Sequence, residues 1–204
     1  MVNKAKITEL CKIAYKYQTD KCPQIKHPYT PYYYELLNPI RHKVKKVLEM
    51  GIGGPEQMIE VEDYKTGASL RMWQEFFPNA LIYGADIHRS LMFEDKRIKT
   101  IVCDSTKKHH IHKMMRQVGS DVDLFVDDGS HVWQHQAFLA KTMLPLLDKD
   151  VIYIIEDVHF QEPIIKELKG YECHIPNLQV GKMYYKSRGK YKIPKSRLLI
   201  IKNK

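Results

Sequence analysis

From about residue 45 onward, short apolar runs rich in β-branched and aromatic residues alternate with stretches whose apolar positions recur every three or four residues. The first pattern is that of strands and the second that of amphipathic helices. Their alternation predicts an α/β fold with a Rossmann-like sheet, mostly parallel, and helices on both faces. Strands are expected at 47–50, 81–86, 99–104, 122–127 and 151–156, and each ends in or beside an acid: Glu49, Asp86, Asp104, Asp127 and Glu156. Open sheets of this kind bind ligands at the carboxyl ends of their strands, so the acids form a row facing a crevice. Leu70, Trp73 and Phe77 predict a helix over 68–77, stopped by Pro78 and Asn79, and a second helix is expected over 134–147. Two late strands, 171–175 and 198–202, are expected to give the sheet an antiparallel C-terminal end. Residues 1–40 carry a short helix around Leu10 and Ala14, then a tyrosine-rich turn over 27–34, and are read as a cap or lid on a core of residues 41–204. Residues 1–204 are thus expected to form a single domain.

Composition narrows the class. With 44% hydrophobic and 28% charged residues and ten each of Gly and Pro, the chain is not of disordered, collagenous or repeat type. It has no apolar run of membrane-spanning length and no signal-like N-terminal block, so a soluble, intracellular, cytoplasmic protein is expected. The four cysteines form no CxxC pair and are expected to be reduced. The net charge of +9 resides in residues 182–204, which hold nine basic residues and no acid. Such a segment suits an anionic or nucleotide-linked partner, or serves as a solvated hairpin.

Chemistry concentrates at the strand ends. Glu49-Met50-Gly51-Ile52-Gly53-Gly54 follows a strand as a glycine-rich loop that lets a ligand approach the backbone. It departs from the GxGxxG dinucleotide pattern, which counts against an NAD dehydrogenase. Asp86 ends the next strand, suited to two ribose hydroxyls, and Asp104 ends the third, suited to an adenine edge. Glycine loop, ribose acid and adenine acid in this order resemble the class I S-adenosylmethionine-dependent methyltransferases. The resemblance implies cofactor contacts from Glu49, Gly51, Gly53, Ser69, Asp86, Ile87, Asp104, Ser105 and Asp127.

A second constellation is Asp127-Asp128-Gly129-Ser130-His131, answered by Glu156-Asp157 after the fifth strand. Asp128, Glu156 and Asp157 in one crevice repel one another unless a cation sits among them, and an all-oxygen set favours Mg²⁺ (or Mn²⁺) over zinc. The alternative is that Asp128 caps the following helix. His131, three residues on, would share a first helical turn with Asp128 and suits a general base. The run Lys107-Lys108-His109-His110-Ile111-His112-Lys113 contains no carboxylate and is read as a helix start.

Thr19-Asp20-Lys21, His27 and Tyr29, the glycine loop, residues 67–73, Asp86, the Asp127–His131 motif and Ile155-Glu156-Asp157 together are similar to the metal-dependent sugar O-methyltransferases that modify rhamnosyl-type sugars of macrolide antibiotics. The likeness covers roughly residues 17–160. It implies methyl transfer from S-adenosylmethionine to a sugar or glycan hydroxyl, Asp128, Glu156 and Asp157 as metal ligands, His131 as base with Asp128 beside it, and Lys21 and Tyr29 in a lid over cofactor or acceptor. Members carry a long N-terminal auxiliary region tied to oligomer formation, so a homo-oligomer stays open. The other readings are a catechol-type O-methyltransferase, or an RNA methyltransferase or RNA-binding module; no RNA-reading motif supports the last.

Overall fold

The computed structural model describes residues 6–56, 58, 64–178, 183–185, 190–192 and 197–203. Its strands are β1 (Lys46–Met50), β2 (Leu81–Asp86), β3 (Glu94–Asp95), β4 (Ile98–Val102), β5 (Leu124–Asp127), β6 (Ile152–Ile155), β7 (Tyr171–His174), β8 (Met183–Tyr185), β9 (Lys190–Lys192) and β10 (Leu199–Asn203). Its helices are α1 (Glu9–Lys16), α2 (Tyr29–Leu37), α3 (Ala68–Phe76), α4 (Lys108–Val118), α5 (Trp133–Met143) and α6 (Gln161–Glu167). The sheet order is β3-β4-β2-β1-β5-β6-β10-β7. Strands β4, β2, β1, β5 and β6 run parallel, whereas β10 is antiparallel to both β6 and β7. Strands β8 and β9 form a separate hairpin within the basic segment, whose remaining residues lie largely outside the described ones.

Successive side chains of a strand face opposite sides, and the core obeys this. Val47, Leu124, Ile154 and Ile200 pack with Leu10, Tyr33, Leu70 and Trp73 of α1, α2 and α3. Leu48, Phe125, Tyr153 and Ile201 pack on the other face with Ile111, Met115, Leu139 and Ile164 of α4, α5 and α6. The same alternation puts Glu49 and Glu156 on the α1–α3 side and Asp127 on the α4–α6 side.

The tyrosine-rich segment is a helix, not a turn. Pro28 is its N-cap and Pro31 its third residue, where no intrahelical N–H is needed, so neither proline breaks it. Tyr29, Tyr33 and Leu37 are fully buried, so α2 packs into the core on the α1–α3 side of the sheet. The run beginning at Lys107 does open α4. No helix among the described residues is long and apolar enough to cross a membrane.

Candidate active site

Three backbone contacts set the site at the carboxyl end of the sheet. Gly51 N–H donates to Ala85 O (2.7 Å), Asp128 N–H to Met50 O (2.8 Å) and Glu156 N–H to Asp127 O (2.9 Å), carrying the parallel ladder just past the strand ends. The glycine loop and the Asp127–His131 loop are thereby pressed together. Gly51 sits at φ +86°, and a Cβ there would lie 2.1 Å from Asp128 O, so no other residue fits.

These loops wall a cleft of about 510 Å³, a size suited to a nucleotide-like ligand. Lys21, Gly51, Gly53, Ser69, Asp86, Ile87, Asp104, Ser105, Asp128, His131 and Asp157, all expected from the sequence, line it. Asp86 is held by Ile52 N–H (3.1 Å) and His88 N–H (3.0 Å), and Asp104 by the backbone N–H and hydroxyl of Thr106 (2.9 and 2.6 Å). Asp20, Lys26, Tyr64, His88 and His135 also line the cleft. Of these only Asp20 had a sequence signal, beside Lys21.

Four expected residues stand elsewhere. Glu49 is fully buried beneath the cleft, its oxygens taken by the Ser69 hydroxyl (2.6 Å) and the Trp73 indole N–H. Asp127 is buried on the opposite face, where Oδ1 accepts Gly129 N–H (3.2 Å) and Oδ2 has no partner among the described residues. Burial pushes its carboxyl up to about 7. Tyr29 does not cover the cleft. Its hydroxyl donates to Asp157 Oδ1 and accepts from Asp157 N–H (3.3 Å), pinning that residue in a left-handed conformation at φ +49°.

Glu156 is the fourth. It continues the alternation of β6 onto the α1–α3 side, where the Lys21 ammonium (2.8 Å) and the Tyr33 hydroxyl (2.8 Å) take its two oxygens. Asp157, turned by its left-handed backbone, faces the cleft instead. Asp128, His131 and Asp157 each offer a ligand atom within 4.8 Å of the other two. His131 is also left-handed, at φ +54°, and lies in the loop before α5, whose N-cap is Val132. Asp128 therefore caps no helix, and loop geometry rather than a helical turn unites it with His131. Asp157 and His131 thus share a conformation that Asp and His adopt more readily than most residues.

Charge around this group is unbalanced. Lys21, only 1% exposed, bonds Asp128 Oδ2 (2.6 Å) and Glu156 and lies 3.6 Å from Glu49. Burial opposes its charge, but the three acids prevail and hold the ammonium well above its ordinary value. With more acids than cations, burial keeps the carboxyls of Glu49, Asp128 and Glu156 above the usual range. His27, stacked on Tyr29, stands 3.6 Å from Asp20 and 3.5 Å from Asp157, and burial pushes its imidazole down. Asp128 and Asp157 supply oxygens that suit a hard divalent ion, and beside them the buried His131 Nδ1 has no hydrogen-bond partner among the described residues.

The strand order, the glycine loop after β1 and the acid ending β2 define the class I methyltransferase fold. An S-adenosylmethionine-dependent methyltransferase from Anabaena variabilis shares that fold over the whole chain, with TM-score 0.61 at 11% identity. Closer in sequence, the curated relatives are named as O-methyltransferases, among them one that acts at the 2' position of a rhamnosyl tetracenomycin-C in Streptomyces olivaceus, 31% identical over 132 residues, 65% of this chain and 33% of the relative. Mycinamicin VI 2''-O-methyltransferase of Micromonospora griseorubida is 32% identical over 154 residues, covering 74% of this chain and 36% of the relative. Demethylmacrocin O-methyltransferase of Streptomyces fradiae is 33% identical over 153 residues, again 74% of this chain and 36% of the relative. The MycE methyltransferase solved with Mg, SAH and mycinamycin VI superposes with TM-score 0.65 at 31% identity, over 75% of this chain and 40% of that one. The chain thus spans about a third of the length of the curated relatives it matches. No family model matches it.

Proposed function

We propose that the cleft binds S-adenosylmethionine and one divalent ion, Mg²⁺ or Mn²⁺, and transfers the methyl group to a hydroxyl of a sugar or glycan. The observation that carries this reading is the meeting of Asp128, His131 and Asp157 on the wall of the cleft that Gly51, Asp86 and Asp104 also line. Relatives named as O-methyltransferases, two of them of rhamnosyl tetracenomycins, and a structural neighbour solved with Mg and SAH support it.

In this reading the Gly51 and Gly53 backbone lies against the cofactor. Asp86, oriented by two backbone N–H groups, accepts from its ribose, and Asp104 meets its adenine. Ile87 and Ser105 flank these acids, and Ser69 stands at the start of α3. Asp128 and Asp157 hold the ion, Tyr29 fixing the latter. A bound divalent ion makes a sugar hydroxyl more acidic. His131 takes the hydroxyl proton, and the cleft aligns the oxygen with the sulfonium methyl. The nine basic residues and absence of acids over 182–204 suit an anionic or nucleotide-linked acceptor.

The test is calorimetry with S-adenosylhomocysteine, followed by a methyl-transfer screen over rhamnosides, catechols and RNA with Mg²⁺ or EDTA. Transfer to a rhamnoside that EDTA abolishes is expected, as is its loss in Asp128→Ala with cofactor binding kept. Full turnover in EDTA sinks the metal reading. Transfer only to catechols or RNA sinks the acceptor.

A further inference from the structure

Helix α4 keeps its apolar and basic residues apart. Ile111, Met114, Met115 and Val118 are buried in the core, while Lys108, His109, Lys113 and Arg116 are exposed and His112 is half-buried. At about 100° per residue, the basic side chains fill an arc of about 140° away from the apolar stripe. The stretch from Ser105 to Ser120 contains no acid. Elsewhere the surface sets acids against its cations, Lys16 against Glu75, Arg71 against Asp95 and Lys141 against Glu167. No lysine or arginine of α4 has such a partner among the described residues.

This charge works against the helix that carries it. Lys107 and Lys108 stand at its N-terminal, positive end, with no capping side chain and no acid in the first turn. Lys113 and Arg116 are like charges one turn apart. An anion laid along the face relieves both. The helix also starts at the cleft, since Asp104, Ser105 and Thr106, just ahead of it, line the wall.

Resting on the reading of the cleft as a sugar-methylating site, we propose that α4 is the docking face for the polymer that carries the acceptor, a glycan with repeated carboxylates of the polyuronate kind. Lys108 and Arg116 lie about 12 Å apart along the helix, so several charged units of one chain are held together while a unit further along enters the cleft. Nucleic acid offers the same sign of charge. Proteins that hold its single strands without sequence preference, however, set aromatic rings among the cations, and the sequence of α4 has none.

The experiment is calorimetric titration of the full chain with a polyguluronate oligomer, with dextran and poly(U) RNA as comparison ligands, at two salt concentrations. The polyguluronate should bind, more weakly at higher salt, and dextran should not. Lys108→Gln/Lys113→Gln/Arg116→Gln should weaken binding about tenfold or more, the sum of three exposed contacts, with the affinity for S-adenosylhomocysteine unchanged. Lys12→Gln/Lys96→Gln/Lys166→Gln removes the same net charge from exposed lysines elsewhere and should cost less than about threefold, because salt screens distant charges.

No binding of polyguluronate, or an equal loss in the two triple variants, overturns the proposal. Tighter binding of the RNA through the same three residues also overturns it and makes α4 a nucleic-acid face. Circular dichroism checks folding; should the α4 triple variant not fold, its three single variants, each expected to cost about twofold, decide in its place. A wild type that binds polyguluronate through α4 but not S-adenosylhomocysteine defeats the methyltransferase reading and leaves the glycan-binding face upheld.

Discussion

Asp127→Asn isolates one buried charge. Asp127 ends β5, is 2% exposed, and burial moves its carboxyl from 3.8 up to about 7. The folded state therefore holds the proton more tightly than the unfolded chain. Its favourable contribution is complete below the unfolded value, declines as pH rises, and is gone above about pH 7. The rise from 3.8 to about 7 corresponds to a loss of about 4 kcal/mol across that window, an upper value because local relaxation and water entry soften it. Asparagine keeps the acceptor that Gly129 N–H uses and places an uncharged amide at the unpartnered oxygen. The variant should accordingly gain on the wild type as pH rises, by up to about 4 kcal/mol between about pH 4 and pH 8. Urea unfolding of both proteins in EDTA, over that pH series, measures the difference, and the subtraction cancels the other carboxyls. A difference independent of pH, or one that shrinks as pH rises, refutes the reasoning.

The remaining predictions concern the cleft itself. Gly51→Ala forces a methyl against Asp128 O and should abolish S-adenosylhomocysteine binding and lower the Tm; binding that survives in calorimetry would contradict the packing described. Tyr29→Phe removes both hydrogen bonds to Asp157 and should weaken Mn²⁺ binding by about 10-fold or more. His131→Ala should lower turnover roughly 10²-fold, and turnover within a few-fold of the wild type would refute its role as base.

Much of the sheet was legible because β1, β2, β4, β5 and β6 are short β-rich runs with an acid at or near the end, a signal that needs no tertiary context. The antiparallel end was legible in the same way. Strand β3 was not, because Glu94 and Asp95 are exposed and pair only at an edge. Helix α2 was hidden by two prolines whose harmlessness depends on where the first turn begins. At the site, the sequence required a cation among Asp128, Glu156 and Asp157 and looked for it in solution. The chain supplies one for Asp128 and Glu156 from residue 21, more than a hundred positions away in sequence. Spacing also could not separate Glu156 from Asp157, because the left-handed turn that parts them depends on a hydroxyl from α2. Side chains reached through tertiary packing leave no local pattern to read.

Strand β10 lies between β6 and β7, and β7 has no other strand neighbour among the described residues. A nascent chain leaving the ribosome can therefore assemble β1 to β6 while β7 waits undocked, with one flank of β6 bare until residues 199–203 emerge. That interval is when strands of other newly made copies can pair with the open flank. Premature termination ahead of those residues would thus yield aggregates rather than a slightly shorter folded chain.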